Sequence, residues 1–186
     1  MNAALAAADA GYGVTLLEKE DHLGGWGAKW KLSTPTKPPY NELEPTGVDE
    51  TVARVEGHDK IKVCLNSEIQ SIGGMPGLFD AKFKCGDAAE QQRFGAIIQA
   101  TGFTPYPAEN LGHLGYGASP DVVTNWQMED MAKAGSITRP SDGAEPAAVA
   151  FVQCAGSRDE NHLPYCSAVC CRVTMKQALY LKEQNE

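Results

Sequence analysis

The chain has 186 residues, enough for one domain or slightly more and for a sizeable core. Sixteen Lys and Arg against 24 Asp and Glu leave a net charge of −8, which argues against nucleic acid as the main partner, because phosphate binding needs a basic face. Hydrophobic residues make up 42%, too many for a disordered chain, and no apolar run is long enough for a membrane span. Met1 to Ala8 carry no positive start, so no signal peptide and a cytoplasmic location are expected.

Residues 2–10 are nearly all Ala and Leu, strong helix formers, and Gly11 ends that predicted helix. Val14-Thr15-Leu16-Leu17 then reads as a short buried strand closed by Glu18. Helix, glycine turn, strand and terminal acid match the second half of a dinucleotide-binding βαβ unit. There the acid hydrogen-bonds a cofactor ribose, about 20 residues beyond a glycine fingerprint. Counting back that far reaches Met1, so the fingerprint strand is expected to be missing. A solvated Glu at the end of an ordinary strand is the plainer alternative. Lys19 follows the acid, and then the pair Gly24-Gly25, which lets backbone approach a pyrophosphate or flavin without a Cβ in the way.

Four prolines between residues 33 and 46 predict a loop, and a short helix is expected from Gly47 to about Glu56. Residues 61–65 read as a strand. A hairpin follows, with arms at Ile69–Ile72 and Leu78–Lys84 about a Gly-rich turn. Phe94 to Phe103 is predicted to be a further buried strand, ending in Ala100-Thr101-Gly102 and sharing a sheet with residues 14–17. Thr124 to Ala134 reads as a Thr-capped helix whose Trp126, Met128 and Met131 pack inward. Residues 139–143 predict a turn and 147–152 another buried strand.

The six cysteines point to metal or redox chemistry in an acidic cytosolic chain. Cys64 and Cys85 each read as an isolated buried thiol in a strand. The other four form the pattern C-x11-C-x3-C-C: Cys154, Cys166, Cys170 and Cys171. A helix predicted from about Ser167 to Glu183 puts Cys166 and Cys170 on one face, while Cys154 is expected at the end of a strand. Four thiolates suit an iron–sulfur cube, one per iron. Structural zinc usually takes C-x2-C knuckles, and none is present. The pattern therefore favours a cube over zinc and over a thiol-redox pair, both of which stay open. Arg158 and Lys176 are candidate counter-charges, and His162 is expected to face solvent.

The run Phe151-Val152-Gln153-Cys154-Ala155-Gly156-Ser157-Arg158-Asp159, then Pro164-Tyr165-Cys166-Ser167 and Cys170-Cys171, resembles the A subunit of heterodisulfide reductase and its relatives. Among those relatives is the B subunit of the quinone-interacting membrane-bound oxidoreductase. Arg139 to Gly143 and Ala100 to Phe103 fit the same family. The resemblance implies a Rossmann-like flavoprotein fold with two dinucleotide-binding motifs, here α/β, truncated and carrying a β-meander insertion. Residues 1–146 would be a partial FAD-binding domain, and 147–186 the start of a second Rossmann-like unit with the cysteines.

It further implies FAD contacts at Glu18, Lys19, Gly24, Gly25, Ala100, Thr101 and Gly102. The 4Fe–4S cluster would sit on Cys154, Cys166, Cys170 and Cys171. The expected role is electron transfer within an oxidoreductase complex, with other redox subunits as partners. Without its fingerprint the chain is expected to retain FAD weakly. The competing reading is a non-catalytic module that packs on partner subunits.

Overall fold

The structure is a computed structural model, which describes residues 1–185. It is mixed α/β, with one small parallel and one small antiparallel sheet. The chain forms two compact units.

The first unit comprises Met1–Ala28 and Gly47–Gly102. Its opening helix, α1 (Asn2–Asp9), buries Ala4, Leu5 and Ala8 along one face. The helix closes where Gly11 N–H donates to the Ala8 carbonyl and Tyr12 N–H to that of Ala7, the paired bonds of a Schellman cap. β1 (Val14–Leu17) follows, then the one-turn helix α2 (Gly25–Lys29). α3 (Val48–Glu56) carries acids in its first turn and Arg54 in its last, each at the helix end where the dipole favours it.

β2 (Ile61–Cys64) pairs in parallel with β1, Val14 opposite Ile61 and Leu17 opposite Cys64. The crossover through α3 makes this a βαβ arrangement. Ala4, Leu5, Ala8, Leu23, Val55 and Ile61 form its core, with Val14, Leu16, Val52 and Val63 packed against them.

β3 (Ile69–Met75), β4 (Leu78–Cys85) and β5 (Ala88–Phe94) form the antiparallel meander. On β4, Ala81 and Phe83 are buried while Lys82 and Lys84 face solvent, as the alternation predicts. Phe83, Ala81 and Cys64 make a second core beneath Leu17 and Phe94.

Three expectations fail in this unit. The last meander strand is the polar segment Ala88–Phe94, turned back onto β4 by Gly86-Asp87, with Cys85 opposite Ala88. Residues 96–100, predicted to be a buried strand beside β1, join neither sheet, and Ile98 is 66% exposed. An apolar run marks a segment that gains from burial; it does not supply a neighbouring strand, and β1 has only β2. The third failure concerns the two isolated thiols: Cys64 and Cys85 are joined in a disulfide. They end β2 and β4, with Cα atoms 4.9 Å apart, within bridging distance.

The second unit comprises Lys29–Thr46 and the chain from Phe103 onward. The proline-rich loop is irregular, as expected, and is tied across its base by the Ser33–Glu44 bridge. Ala108–Leu114 forms 3-10 turns. α4 (Asn125–Ala134) starts with a reciprocal capping box between Thr124 and Gln127. Its Met128 is buried, Met131 packs beside the core, and Trp126 stacks on Trp30 with ring centres 6.2 Å apart.

α5 (Cys170–Gln184) packs on α4, burying Tyr180 and Leu181 against Met128, Ala132 and Ile137. Polar groups lock the same interface. Lys176 Nζ lies 2.9 Å from Glu129 and donates to the Leu32 carbonyl at 2.8 Å. Gln177 Nε2 donates to Glu129 at 3.0 Å and to the Asn125 carbonyl at 2.8 Å. Residues 147–152 form no strand, and Val152 is exposed; of this run, Phe151 packs beside the core.

Candidate metal centre

The four clustered cysteines lie on a turn, a loop and the start of α5. Cys154 belongs to a turn at residues 153–156, not to a strand end, and its φ of 56° is left-handed. Such backbone is uncommon for a residue with a Cβ. Cys166 precedes α5 and does not share its face with Cys170. The reason is local: Ala168 has φ 58°, which breaks the helical path before Cys170.

The segment between Cys154 and Cys166 folds back on itself. Ser157 N–H donates to the Cys154 carbonyl at 3.0 Å, Leu163 N–H to Gly156 at 3.2 Å, and Arg158 N–H to Tyr165 at 3.1 Å. Gly156 is buried on the Tyr106 ring, where a Cβ would come within 2.5 Å of that ring. Tyr106 also holds the far side of the loop, its hydroxyl 2.6 Å from His162 Nδ1. His162 stacks on His113 at 5.9 Å, so it is a half-buried brace and not the solvent-facing histidine expected.

All four thiols are free. The Arg158 guanidinium reaches Cys154 Sγ at 3.8 Å, and Ala168 N–H reaches Cys166 Sγ at 3.3 Å. Lys176, the other candidate counter-charge, is instead committed to Glu129. Partial burial raises the Cys170 thiol. Hydrogen bonds from Ser167, the Cys154 backbone and Cys171 outweigh it, leaving its pKa below the ordinary value. The start of α5 favours the thiolate in the same direction. Cys171 is pushed up, first by the charge of Cys170, then by slight desolvation and its bond to Cys170, then by the charges of Cys154 and Cys166. The four sulfurs thus share one electrostatic neighbourhood.

Their spacing bears on which metal they suit. Among the described residues, no three of these sulfurs lie within 4.8 Å of one another. Tetrahedral zinc needs its sulfurs ~3.8 Å apart, from Zn–S bonds of about 2.3 Å. A cube puts each thiolate on a different iron and spreads them wider. What the donor set itself offers is four thiolates, one for each iron of a cube, on a pattern without the C-x2-C knuckles usual for structural zinc.

The predicted FAD contacts lie in the first unit. Glu18 ends β1, half-buried, and its carboxylate accepts the Glu20 N–H at 3.0 Å. Lys19 pairs with Glu20 at 3.4 Å on the surface. Gly24 has φ 112°, and a Cβ there would approach Ala28 Cβ to 2.8 Å, so this glycine serves helix packing. Gly25 opens onto free space. Ala100, Thr101 and Gly102 are exposed and lie outside both sheets.

No family model matches the chain. Individual relatives do. The A subunit of the H(2):CoB-CoM heterodisulfide,ferredoxin reductase of Methanothermobacter thermautotrophicus is 45% identical over 97 residues, covering 48% of this chain and 15% of that protein. The second iron-sulfur A subunit of the CoB–CoM heterodisulfide reductase of Methanopyrus kandleri matches 99% of this chain at 26% identity, over 40% of its own length. Over nearly its whole length the chain is similar to heterodisulfide reductase A subunits. A third relative is the A subunit of the ferredoxin/F(420)H(2)-dependent CoB-CoM heterodisulfide reductase of Methanosarcina acetivorans, 27% identical over 99% of this chain and 33% of its own.

The chain thus spans well under half the length of these reductase subunits. The Methanopyrus match runs over 266 positions against the 186 residues here, so that relative carries internal segments this chain lacks. Among the described residues, no helix is long and apolar enough to cross a membrane.

The cysteine group was legible from spacing alone. Two partners were not. Tyr106 carries no motif, and only its position under Gly156 reveals it as a support of the cysteine loop. Glu129 carries no motif either, and it is fully buried.

Proposed function

We propose that the chain is an electron-transfer subunit, or part of one, in a heterodisulfide reductase-like oxidoreductase. Cys154, Cys166, Cys170 and Cys171 would hold a 4Fe–4S cluster, which supplies one-electron transfer. The observation that carries this reading is a set of four free thiols on the pattern C-x11-C-x3-C-C, with Cys171 subject to the charges of the other three. The names of the relatives, iron-sulfur and reductase subunits, support it. In this reading α5 presents Cys170 and Cys171, the loop braced by Tyr106 presents Cys154 and Cys166, and Arg158 offsets negative charge at Cys154.

FAD is the proposed second cofactor. Glu18 at the end of β1, with Lys19, the Gly24-Gly25 pair and Ala100 to Gly102, would receive it. The βαβ arrangement and the open space at Gly25 support this, and a truncated Rossmann-like domain is the corresponding fold. Glu18→Ala is then expected to weaken flavin binding by about 1–3 kcal/mol, the loss of a charge-assisted hydrogen bond. Titration with FAD reads this directly, and an unchanged affinity removes Glu18 from the site. Other redox subunits would be the partners, in the cytoplasm.

The deciding experiment is iron and zinc content with electron paramagnetic resonance, on anaerobically prepared wild type and Cys170→Ser. Iron at about four per chain, lost in the variant, is expected. Zinc without iron in the wild type overturns the electron-transfer reading.

A further inference from the structure

We propose that Cys64 and Cys85 form a second redox site, independent of the four-cysteine group: a disulfide that exchanges with an external dithiol, with Glu90 carrying the proton. Three features separate this pair from a purely structural staple. One sulfur can be reached: Cys64 is 1% exposed, whereas Cys85 is half-buried at the end of β4, beside the Gly86-Asp87 turn. Second, a carboxylate oxygen of Glu90 and both sulfurs all lie within 4.8 Å of one another. A cross-link in an apolar core has no use for a carboxylate. Third, Glu90 is held there, since Lys62 Nζ donates to its two oxygens at 2.7 and 2.6 Å. Lys62 stands two residues before Cys64 on β2, and Glu90 lies opposite Phe83 on β4, so the strands themselves converge on this point.

The chemistry follows from access. The external thiolate attacks Cys85 Sγ, the reachable sulfur, forming a mixed disulfide and breaking the bond to Cys64. Glu90 takes the proton that the external thiol gives up on attack and returns it to Cys64, which otherwise leaves as a thiolate into a buried position where a bare charge is costly. The second thiol of the reductant gives up its proton and attacks its partner sulfur on Cys85. Cys85 leaves and is protonated, and the reductant departs as a disulfide. Two electrons and two protons pass from the dithiol to the pair. Reduction removes the covalent link between the β1–β2 sheet and the meander, while the shared core and the Lys62–Glu90 pair remain.

The test is differential alkylation of the full chain, read by peptide mass spectrometry, during titration with dithiothreitol under native conditions. When each native sample is acid-quenched and then alkylated after denaturation, Cys64 and Cys85 are expected to be labelled together, and to re-form the disulfide when oxidised dithiothreitol is added to the native chain. Glu90→Gln is expected to slow reduction about tenfold or more, on the scale of general acid catalysis. In Cys64→Ser, Cys85 is expected to trap a mixed disulfide with glutathione. A pair that stays oxidised until the protein is denatured overturns the proposal, and this wild-type measurement needs no variant to fold. Reduction of Glu90→Gln at the wild-type rate overturns the role of the carboxylate. Peptide-level labelling keeps the outcome separate from the fate of Cys154, Cys166, Cys170 and Cys171.

Discussion

Lys176 and Glu129 form an ion pair of 2.9 Å with side chains 1% and 0% exposed, joining α5 to α4. Neither charge can turn to water. Lys176 has two further supports, the Leu32 carbonyl and the face of Trp30 at 4.5 Å. Burial still holds the Lys176 pKa below its ordinary value, against the upward pull of Glu129. Glu129→Ala leaves that ammonium without its counter-charge and is expected to cost about 3–5 kcal/mol. The double variant Glu129→Leu with Lys176→Met should recover most of the loss. Urea denaturation of the three chains measures both, and a neutral Glu129→Ala contradicts the buried pair.

The thiols of α5 should titrate in a fixed order. Cys170 is lowered and Cys171 raised relative to the ordinary thiol. In the metal-free, reduced chain, the pH of half-maximal alkylation is expected to be lower for Cys170 than for Cys171. Iodoacetamide labelling across about pH 6–10 reads this, the range that brackets an ordinary thiol pKa of ~8.5. The reverse order would show that the hydrogen bonds to Cys170 do not form in solution.

Gly156→Ala places a Cβ inside the Tyr106 ring's contact distance and demands left-handed backbone of a residue that resists it, φ being 74°. The loop must move. The expected result is loss of most bound iron with α5 intact by circular dichroism. Tyr106→Ala, which removes the obstacle, should restore part of the iron to Gly156→Ala. Full iron retention in the single variant would mean that the loop does not need Tyr106 beneath it.

Cys64→Ser removes a cross-link between residues 21 apart. A loop of that length is worth about 3 kcal/mol of unfolded-state entropy. The variant is expected to unfold at lower denaturant by that amount, and wild type under a strong reductant should match it. Equal stability of oxidised wild type and Cys64→Ser would show that the bridge does not form in solution.

Local signals carried far in this sequence. The alanine-rich α1 and its cap, the apolar β1 and β2, the Thr124 capping box and the alternation of β4 each belong to a few neighbouring residues, where propensity and periodicity act. What was misread depends on partners distant in sequence. Ala88–Phe94 is polar and becomes a strand because a tight turn lays it on β4, whereas the apolar 96–100 has no strand to pair with. Cys64 and Cys85 each look like a core thiol until β2 and β4 meet. The cysteine pattern at the candidate metal centre stands out in the sequence because the four residues are close together. Cys154 was placed on a strand that does not form, and Cys166 on a helix that starts later.

The anchoring of α5 also bears on how a metal centre would assemble. Lys176 and Gln177 fasten the helix to α4 roughly 9 Å along its axis from Cys170, at about 1.5 Å per residue. Such a helix cannot slide or rotate without breaking a buried network. In the proposed centre Cys170 and Cys171 would be a preset template, and the Cys154–Cys166 loop the clasp. There α5 would hold two of the four thiolates rigidly, while the other two would depend on a loop braced by Tyr106 and His162.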